Sequence, residues 1–302
     1  MNEVVELQAG QARARLVPAA GGRISALRLE PDGAGVAVDV LHPYPEDFFD
    51  PLHWAKGGIY PLMPYSNRIA QAKLRVDGQQ VVLEPHPDAA PHTLHGNAHA
   101  LPWMLESHDG ASAVMVLDAA ASPAWPWRYQ ARMGLQLTPS ALRVSLVLRN
   151  AGQRRMPAGM GLHPYFRHRP EARLVYRASA FWPPTPEFLA QSARAPLAQE
   201  VRPLAQPLRE GGMTDYLGGW DGHARIELPE GALLDIDADP VFGHLVVHRP
   251  DHLAYLCLEP VSHVADGFNL AAQGVADTGT RWLASGESLQ GGMVFTLRGA
   301  GA

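Results

Sequence analysis

The chain has 302 residues, of which 46% are hydrophobic and 18% charged, so its composition is that of a globular protein rather than a disordered one. Its formal net charge is -5, and without a basic excess to neutralise phosphates, nucleic acid is excluded as a main partner. The single cysteine, Cys257, excludes an internal disulfide and favours a reducing compartment.

The first residues and the hydropathy pattern predict a cytoplasmic protein. Residues 1–10 (MNEVVELQAG) contain neither a basic start nor an apolar run, so no signal peptide is expected. No apolar stretch approaches the length of a membrane span, so no membrane partner is expected either.

Short alternating segments separated by Gly-rich and Pro-rich turns predict strands throughout the chain. In chain order they are residues 23–29, a hairpin over 73–83 that turns at Asp77-Gly78, then 142–149, 234–239, 245–247, 254–259 and 293–297. The segment 142–149 (LRVSLVLR) is the clearest half-buried strand, with leucines and valine inward and arginines outward.

Helical signal is weak in this sequence. Residues 187–200 are a candidate for a short helix, but Pro196 would break it. Neither a repeat nor a linker divides the chain. These patterns predict a single all-β domain over residues 1–302, a large sandwich of antiparallel sheets.

Glu259 ends an otherwise apolar strand. In residues 254–259 (AYLCLE), the side chains of Ala254, Leu256 and Leu258 face one side of the predicted strand. Those of Tyr255, Cys257 and Glu259 face the other. Pro260 is expected to end the strand, because it cannot donate to the ladder. A carboxylate there is costly to desolvate unless it is paired or functional. Glu259 therefore either closes a salt bridge or acts on a ligand.

Four further segments carry more polar and aromatic residues than connectors need. They are residues 57–69 (GGIYPLMPYSNRI), 92–103 (HTLHGNAHALPW), 159–166 (GMGLHPYF) and 213–220 (MTDYLGGW). In the first, Arg68 offers a planar fork of donors that suits sugar hydroxyls or a carboxylate, the alternative being a surface salt bridge. In the last, Asp215 is either a ligand contact or a turn residue that bonds its own backbone.

Histidines dominate the two middle segments. His92, His95 and His99 have the spacing of helical metal ligands, but Gly96 interrupts the stretch and neither Cys nor carboxylate completes a set, so no metal site is expected. His95 is better interpreted as a hydrogen-bonding residue on a tight turn. His163 titrates near neutral pH and can donate or accept a proton, and the two aromatic residues after it can pack beneath it or against a ligand.

Four motifs together resemble the aldose 1-epimerase (galactose mutarotase-like) family. They are NRI at Asn67, LHG at Leu94, HPYF at His163 and EP at Glu259, and they follow the family's order. The resemblance extends from GGR at Gly21 to the final strands. It implies a large antiparallel β-sandwich, also called a supersandwich, with a sugar cleft built from distant strands, and it implies no cofactor.

The resemblance also implies roles for single residues. Glu259 resembles the general base that takes the proton from the anomeric hydroxyl, and His163 the general acid that protonates the ring oxygen, which requires Glu259 ionised and His163 protonated. Arg68 and His95 match positions that bind the sugar, and Asn67, in the same NRI motif as Arg68, is a further candidate sugar contact. Asp215 matches a residue that binds sugar hydroxyls. The implied partner is a small aldose, free or phosphorylated.

Departures from the family pattern leave the sugar open, and rival functions remain. Ala265-Asp266-Gly267 replaces the usual residues before Phe268-Asn269, and Tyr65-Ser66 stands where Tyr-Ala is common. One rival is a hexose-6-phosphate 1-epimerase, with Arg154-Arg155 and residues 167–169 (RHR) as phosphate contacts. Another is a non-catalytic carbohydrate-binding protein on the same fold, which has no need for both Glu259 and His163.

Overall fold

The computed structural model describes residues 2–32, 36–193, 195, 200–204, 212–229, 231–251 and 255–299. In these ranges the strands are β1 (Val5–Ala9), β2 (Ala12–Val17), β3 (Arg23–Leu29), β4 (Val38–Asp39), β5 (Ile59–Leu62), β6 (Arg68–Ile69), β7 (Lys73–Val76), β8 (Gln79–Val82), β9 (Thr93–Leu94), β10 (Met104–His108), β11 (Ser112–Ala119), β12 (Tyr129–Leu137), β13 (Ala141–Asn150), β14 (Met156–Ala158), β15 (Gly161–Arg167), β16 (Arg173–Tyr176), β17 (Ala180–Trp182), β18 (Glu200–Pro203), β19 (Met213–Gly218), β20 (His223–Glu227), β21 (Leu233–Ala238), β22 (His244–Arg249), β23 (Tyr255–Val261), β24 (Arg281–Leu283) and β25 (Ser288–Arg298). The same ranges contain one α-helix, α1 (Gly267–Ala272), and 3₁₀ helices at Ala70–Ala72, Pro87–Ala89 and Ala98–Ala100. Of these described helices, none has the length and apolar character needed to cross a membrane.

Two large antiparallel sheets contain most of the strands. The first has ten strands, in the order β1-β2-β3-β5-β15-β23-β22-β19-β17 with β4 paired to β3. The second has nine, in the order β10-β11-β12-β13-β25-β21-β20-β16-β18. Smaller two-stranded pairs are β14-β24, β6-β9 and β7-β8. The all-β antiparallel class predicted from the sequence is confirmed.

The two large sheets share one apolar core. Leu16, Leu162 and Leu258 enter it from the ten-stranded sheet, and Leu146 and Phe295 enter it from the nine-stranded sheet. Burial of apolar side chains between facing sheets is the main stabilising term of such a sandwich. A second buried cluster, rich in tyrosine and tryptophan, covers the other face of the ten-stranded sheet, and the candidate site lies there.

Several predicted strands are confirmed with their sidedness. Residues 73–83 form the β7-β8 hairpin through Asp77-Gly78, and β13 alternates buried and exposed side chains along its length. In β21 the outward-facing Asp235 is nevertheless only 1% exposed, because Arg225 and Arg298 both bind its carboxylate.

The expectation that Pro260 ends its strand is wrong. β23 continues to Val261, which pairs with Gly161 on one side and with His244 on the other. One missing N–H does not end a ladder that resumes at the next residue. All seven residues of β23 are buried, so both faces of this strand are covered.

The predicted helix at 187–200 is not observed in its described part. Residues 187–193 form turns, with an isolated bridge between Pro184 and Ala190, while 194 and 196–199 lie outside the described residues. The helix α1 was not predicted, because six residues are too few to show an amphipathic period.

Candidate active site

A cavity of about 180 Å³ lies on the outer face of the ten-stranded sheet. Its walls are formed by Trp54, Lys56, Asn67, Arg68, Leu94, His95, His163, Tyr165, Phe188, Thr214, Tyr216, Val246, His248, Tyr255 and Glu259. The floor comes from four neighbouring strands, β15, β23, β22 and β19, and the rim from loops and the β6-β9 pair.

Strand register brings the predicted acid and base together. Gly161 lies opposite Val261 and Tyr165 opposite Cys257, which places His163 directly across from Glu259. Glu259 in turn lies opposite Val246 on its other side. Because cross-strand neighbours on one face have Cβ atoms only about 5 Å apart, the two side chains meet although nearly a hundred positions separate them in the chain.

The His163 and Glu259 side chains are in direct contact. Nε2 of His163 lies 3.3 Å from Oε1 of Glu259, and the two side chains are 8% and 4% exposed. We call these two residues the Glu259–His163 pair. Such close contact between two buried groups lets them share one proton.

Burial decides which of the two groups holds that proton. Burial raises the pKa of Glu259 to about 8, although the nearby positive charge of Arg68 opposes the rise. Burial also lowers the pKa of His163 well below its ordinary value. Near neutral pH the pair therefore holds its proton on the carboxyl group, whereas the roles implied by the resemblance place the same proton on the imidazole.

Aromatic rings fix the orientation of the His163 imidazole. The Tyr165 ring stacks on it at 4.6 Å and 15°, and the Tyr60 ring lies at 4.8 Å and 27°. Of the two alternatives for the aromatic residues after His163, the structure shows Tyr165 packed against the imidazole. The Tyr165 hydroxyl accepts a hydrogen bond from Trp54 Nε1 at 3.4 Å, which ties the cavity wall to its floor.

His95 lies on a tight turn, as predicted, with φ of 63° followed by Gly96 at 67°. Its Nδ1 accepts a hydrogen bond from the backbone N–H of Asn67 at 3.1 Å. Burial lowers the pKa of His95 well below its ordinary value, so the ring is neutral at neutral pH. With Nδ1 occupied as an acceptor, the remaining proton is on Nε2, and His95 offers a donor.

Asn67 and Arg68 stand at the rim. The guanidinium of Arg68 lies 4.9 Å from the centre of the Phe188 ring, and among the described residues it forms no salt bridge with an acidic side chain. The alternative interpretation of Arg68, a surface salt bridge, is therefore not observed among the described residues. The Oδ1 of Asn67 accepts hydrogen bonds from the Arg68 backbone N–H at 2.9 Å and from the Tyr216 hydroxyl at 3.4 Å.

The structure does not bring Asp215 to the cavity. Asp215 lies within β19 opposite Val247, so it is not a turn residue either. Its neighbours Thr214 and Tyr216 line the cavity, and the two-residue period of a strand directs Asp215 to the opposite face. Sequence reasoning chose the acidic residue of this segment and missed the two residues beside it.

Other lining residues were also missed. Lys56 places its Nζ 4.2 Å from the centre of the Trp54 ring, in a loop whose sequence carries no periodic signal. Thr214 Oγ1 lies 2.9 Å from His248 Nδ1, and both residues line the cavity. The alternation of residues 213–218 would have found Thr214 and Tyr216, whereas Lys56 had no signal to find.

The arginines proposed as phosphate contacts lie away from this cavity. The guanidinium of Arg154 lies over the Trp127 ring, and that of Arg155 lies over the Trp282 ring and 3.6 Å from Asp77. Residues 167–169 are likewise absent from the cavity lining.

The three histidines with helix-like spacing do not gather around one point. Nδ1 of His92 accepts from the Gln71 backbone N–H, and His99 packs against the Trp54 ring at 4.7 Å. Among the described residues, the group with metal-ligand chemistry is instead His163, Cys257 and Glu259, whose ligand atoms lie within 4.8 Å of one another.

The family model described as Aldose 1-epimerase matches residues 3–296. The chain is 29% identical over 218 residues to the uncharacterized protein YphB of Escherichia coli K12, which covers 68% of this chain and 73% of that protein. Among solved structures, a putative aldose 1-epimerase from Escherichia coli K12 superposes with a TM-score of 0.83 at 26% identity, covering 99% of each chain. Galactose 1-epimerase from Lactobacillus acidophilus shares the fold, with a TM-score of 0.74 at 12% identity over 99% of this chain and 98% of that chain.

Proposed function

The chain belongs to the aldose 1-epimerase family, whose members are isomerases, and on that premise we propose that it interconverts the α and β anomers of an aldose. Glu259 is the base that takes the proton from the anomeric hydroxyl, and His163 is the acid that protonates the ring oxygen. The observation that carries the proposal is the direct contact of these two groups inside one cavity. The cavity volume, about 180 Å³, suits a single sugar ring.

The reaction requires two proton transfers, one at each of the two oxygens bonded to C1. Removing the proton from the C1 hydroxyl and adding one to the ring oxygen breaks the bond between C1 and the ring oxygen and leaves an open-chain aldehyde. Rotation about the C1–C2 bond followed by closure with the reverse transfers gives the other anomer. Because both oxygens are bonded to C1, a donor and an acceptor 3.3 Å apart can reach them. General acid and general base catalysis each contribute roughly 10²–10⁴-fold.

The pair needs its proton on His163 before the ring opens. Burial by the protein favours the proton on Glu259, and the 3.3 Å contact provides a direct path to the imidazole. Sugar hydroxyls that replace lost solvation, together with the positive charge of Arg68, favour the ionised carboxylate. Substrate binding therefore activates the pair by moving one proton between two groups of the protein.

Arg68 and His95 are the proposed sugar contacts. His95 offers its Nε2 proton as a neutral donor, and the Arg68 guanidinium, which forms no salt bridge among the described residues, offers several donors from the rim. Both stabilise the negative charge that develops on a sugar oxygen during ring opening. Asn67 acts indirectly, since its backbone N–H holds His95 and its Oδ1 is occupied within the protein.

A matched pair of carboxyl-to-amide variants tests the assignment. Anomer exchange of glucose and galactose, followed by NMR or polarimetry, is expected to fall by at least about 10²-fold in Glu259→Gln and to persist in Asp215→Asn, because only the first residue lines the cavity. Unchanged exchange in Glu259→Gln would refute the role of Glu259. Sugar binding by the wild type without faster exchange would favour a carbohydrate-binding protein.

A second candidate is epimerisation of an anionic aldose, such as a hexose 6-phosphate. Its support is the presence of two cationic side chains, Lys56 and Arg68, in a cavity whose one lining carboxyl group is Glu259. A Lys56→Gln variant is expected to lose exchange of glucose 6-phosphate by about tenfold while it keeps exchange of glucose. Equal losses for both sugars would exclude this candidate.

We further propose that residues 1–302 act as one domain. The support is the single apolar core to which both large sheets contribute.

A further inference from the structure

The thiol of Cys257 lies beside the proposed proton carriers. Cys257 precedes Glu259 by two residues on β23, so both side chains are directed to the same face. His163 approaches from the adjacent strand β15, opposite Glu259. One ligand atom from each of these three buried residues lies within 4.8 Å of the others.

We propose that His163, Cys257 and Glu259 form a binding site for Zn²⁺ that inhibits the enzyme. We call these three residues the zinc triad. The inhibition, though not the binding, rests on the acid and base roles proposed above. A metal ion held here occupies the imidazole nitrogen and the carboxylate oxygen that the proton transfers require.

The donor set and its spacing suit this ion. Zinc prefers thiolate, imidazole and carboxylate ligands at about 2.0–2.3 Å, which places tetrahedral ligands roughly 3.3–3.8 Å apart. The 3.3 Å between His163 Nε2 and Glu259 Oε1 already matches that separation. The Cys257 Sγ lies within 4.8 Å of the other two ligand atoms, so a side-chain rotation that moves it by about 1 Å brings the third ligand into range.

A second observation points to a ligand at Glu259. Oε2 of Glu259 is buried and has no hydrogen-bond partner among the described residues, and the whole residue is only 3% exposed. Buried polar atoms in native proteins are nearly always paired, so this oxygen has capacity for a partner that enters the cavity. A metal ion coordinated by the carboxylate satisfies it.

Charge and access are also compatible with a dication. Zn²⁺ bound by one thiolate and one carboxylate has no net charge, which limits the cost of burying it, and it displaces the thiol proton and the carboxyl proton to solvent. Arg68 and Lys56 oppose the approach of a cation but favour the deprotonated ligands. Since His163 and Glu259 line the cavity, the ion enters through it, and the fourth coordination position faces a water or a sugar hydroxyl.

Cobalt is the spectroscopic probe for this site. Chelator-treated protein titrated with Co²⁺ is expected to bind one ion per chain and to show the near-ultraviolet absorption of a cobalt–thiolate bond. Because Cys257 is the sole cysteine of the chain, that absorption reports this site alone. Its absence, or its persistence in Cys257→Ala, would overturn the proposal.

Inhibition provides the second readout. Cys257 has no part in the proposed proton transfers, so Cys257→Ala and Cys257→Ser are expected to keep basal anomer exchange and to need at least about tenfold more Zn²⁺ for half-inhibition. Thermal melting of both variants checks that they fold. Equal zinc sensitivity in wild type and variants would assign the inhibition to other histidines and refute the site. A thiolate–cobalt signal in a protein without anomer exchange would instead support the site while refuting the proposed reaction.

Discussion

Replacing Glu259 with Gln is expected to stabilise the fold at alkaline pH while it removes the proposed base. The side chain is nearly fully buried, and its Oε2 has no partner among the described residues. An ionised carboxylate in that position is costly. The variant therefore separates what Glu259 does for the reaction from what it costs the fold.

The sign and size of this change in stability follow from the pKa of Glu259. Burial raises the pKa of Glu259 from 4.5 to about 8. Between these values the unfolded chain loses the proton that the native state retains, so the stability contributed by Glu259 is fully present below about pH 4.5 and is lost as the pH rises toward about 8. At about 1.4 kcal/mol per pH unit, the full loss is roughly 5 kcal/mol. Gln cannot ionise, but its buried amide lacks some partners, so the expected net gain near pH 8 is about 2–4 kcal/mol.

Urea unfolding followed by circular dichroism measures this difference. Wild type and Glu259→Gln are compared at about pH 5 and about pH 8, and the gain is expected to grow with pH. Glu84→Gln is the control, because Glu84 is exposed and its replacement should shift neither curve. If Glu259→Gln proved less stable than wild type at the higher pH, the native carboxylate would be ionised and well paired, and the reasoning from burial would be refuted.

Three other variants test separate features of the structure. Asp235→Asn is expected to lower the free energy of unfolding by about 2 kcal/mol near neutral pH, which is less than for a fully buried ion pair because its arginine partners are partly exposed. Because the pKa of Asp235 is lowered in the folded protein, this contribution is lost as the pH falls. The urea midpoints of variant and wild type should therefore converge in acid. Arg68→Met is expected to lower kcat/KM for anomer exchange by about 10²-fold, which steady-state kinetics would show, and an unchanged value would exclude Arg68 as a sugar contact. Gly96→Ala is expected to lose both stability and activity, because a Cβ at φ of 67° meets the backbone oxygen of Met63 and displaces the His95 turn; a melting curve like that of wild type would contradict this.

Local pattern was sufficient to predict eight of the described strands and to single out several residues that line the cavity. The alternation in β23 placed Glu259 and Cys257 on one face, and the consecutive residues Asp77 and Gly78 located a hairpin turn. These signals are local, since a strand or a tight turn is visible within a few residues. The family motifs then indicated His163, which the structure places opposite Glu259.

What the sequence did not reveal depends on non-local pairing. Nothing near Lys56 indicates that its loop reaches a cavity on the ten-stranded sheet. Asp215 was preferred to Thr214 by residue type, although the strand period directs Thr214 and not Asp215 to the cavity. The protonation of the Glu259–His163 pair also depends on burial by distant segments, which no local pattern contains.

Because β23 is covered on both sides, its register specifies the packing of the core and the position of the proposed base at once. A slip of one residue along its neighbours would send the Leu258 side chain into the cavity and drive the carboxylate of Glu259 in among the leucines beneath the sheet. Such a misaligned chain loses apolar burial and also buries an unpaired charge. Selection for a well-packed sandwich thus maintains the alignment of the proposed proton carriers, and a single-residue deletion within this strand would abolish the packing and the alignment together.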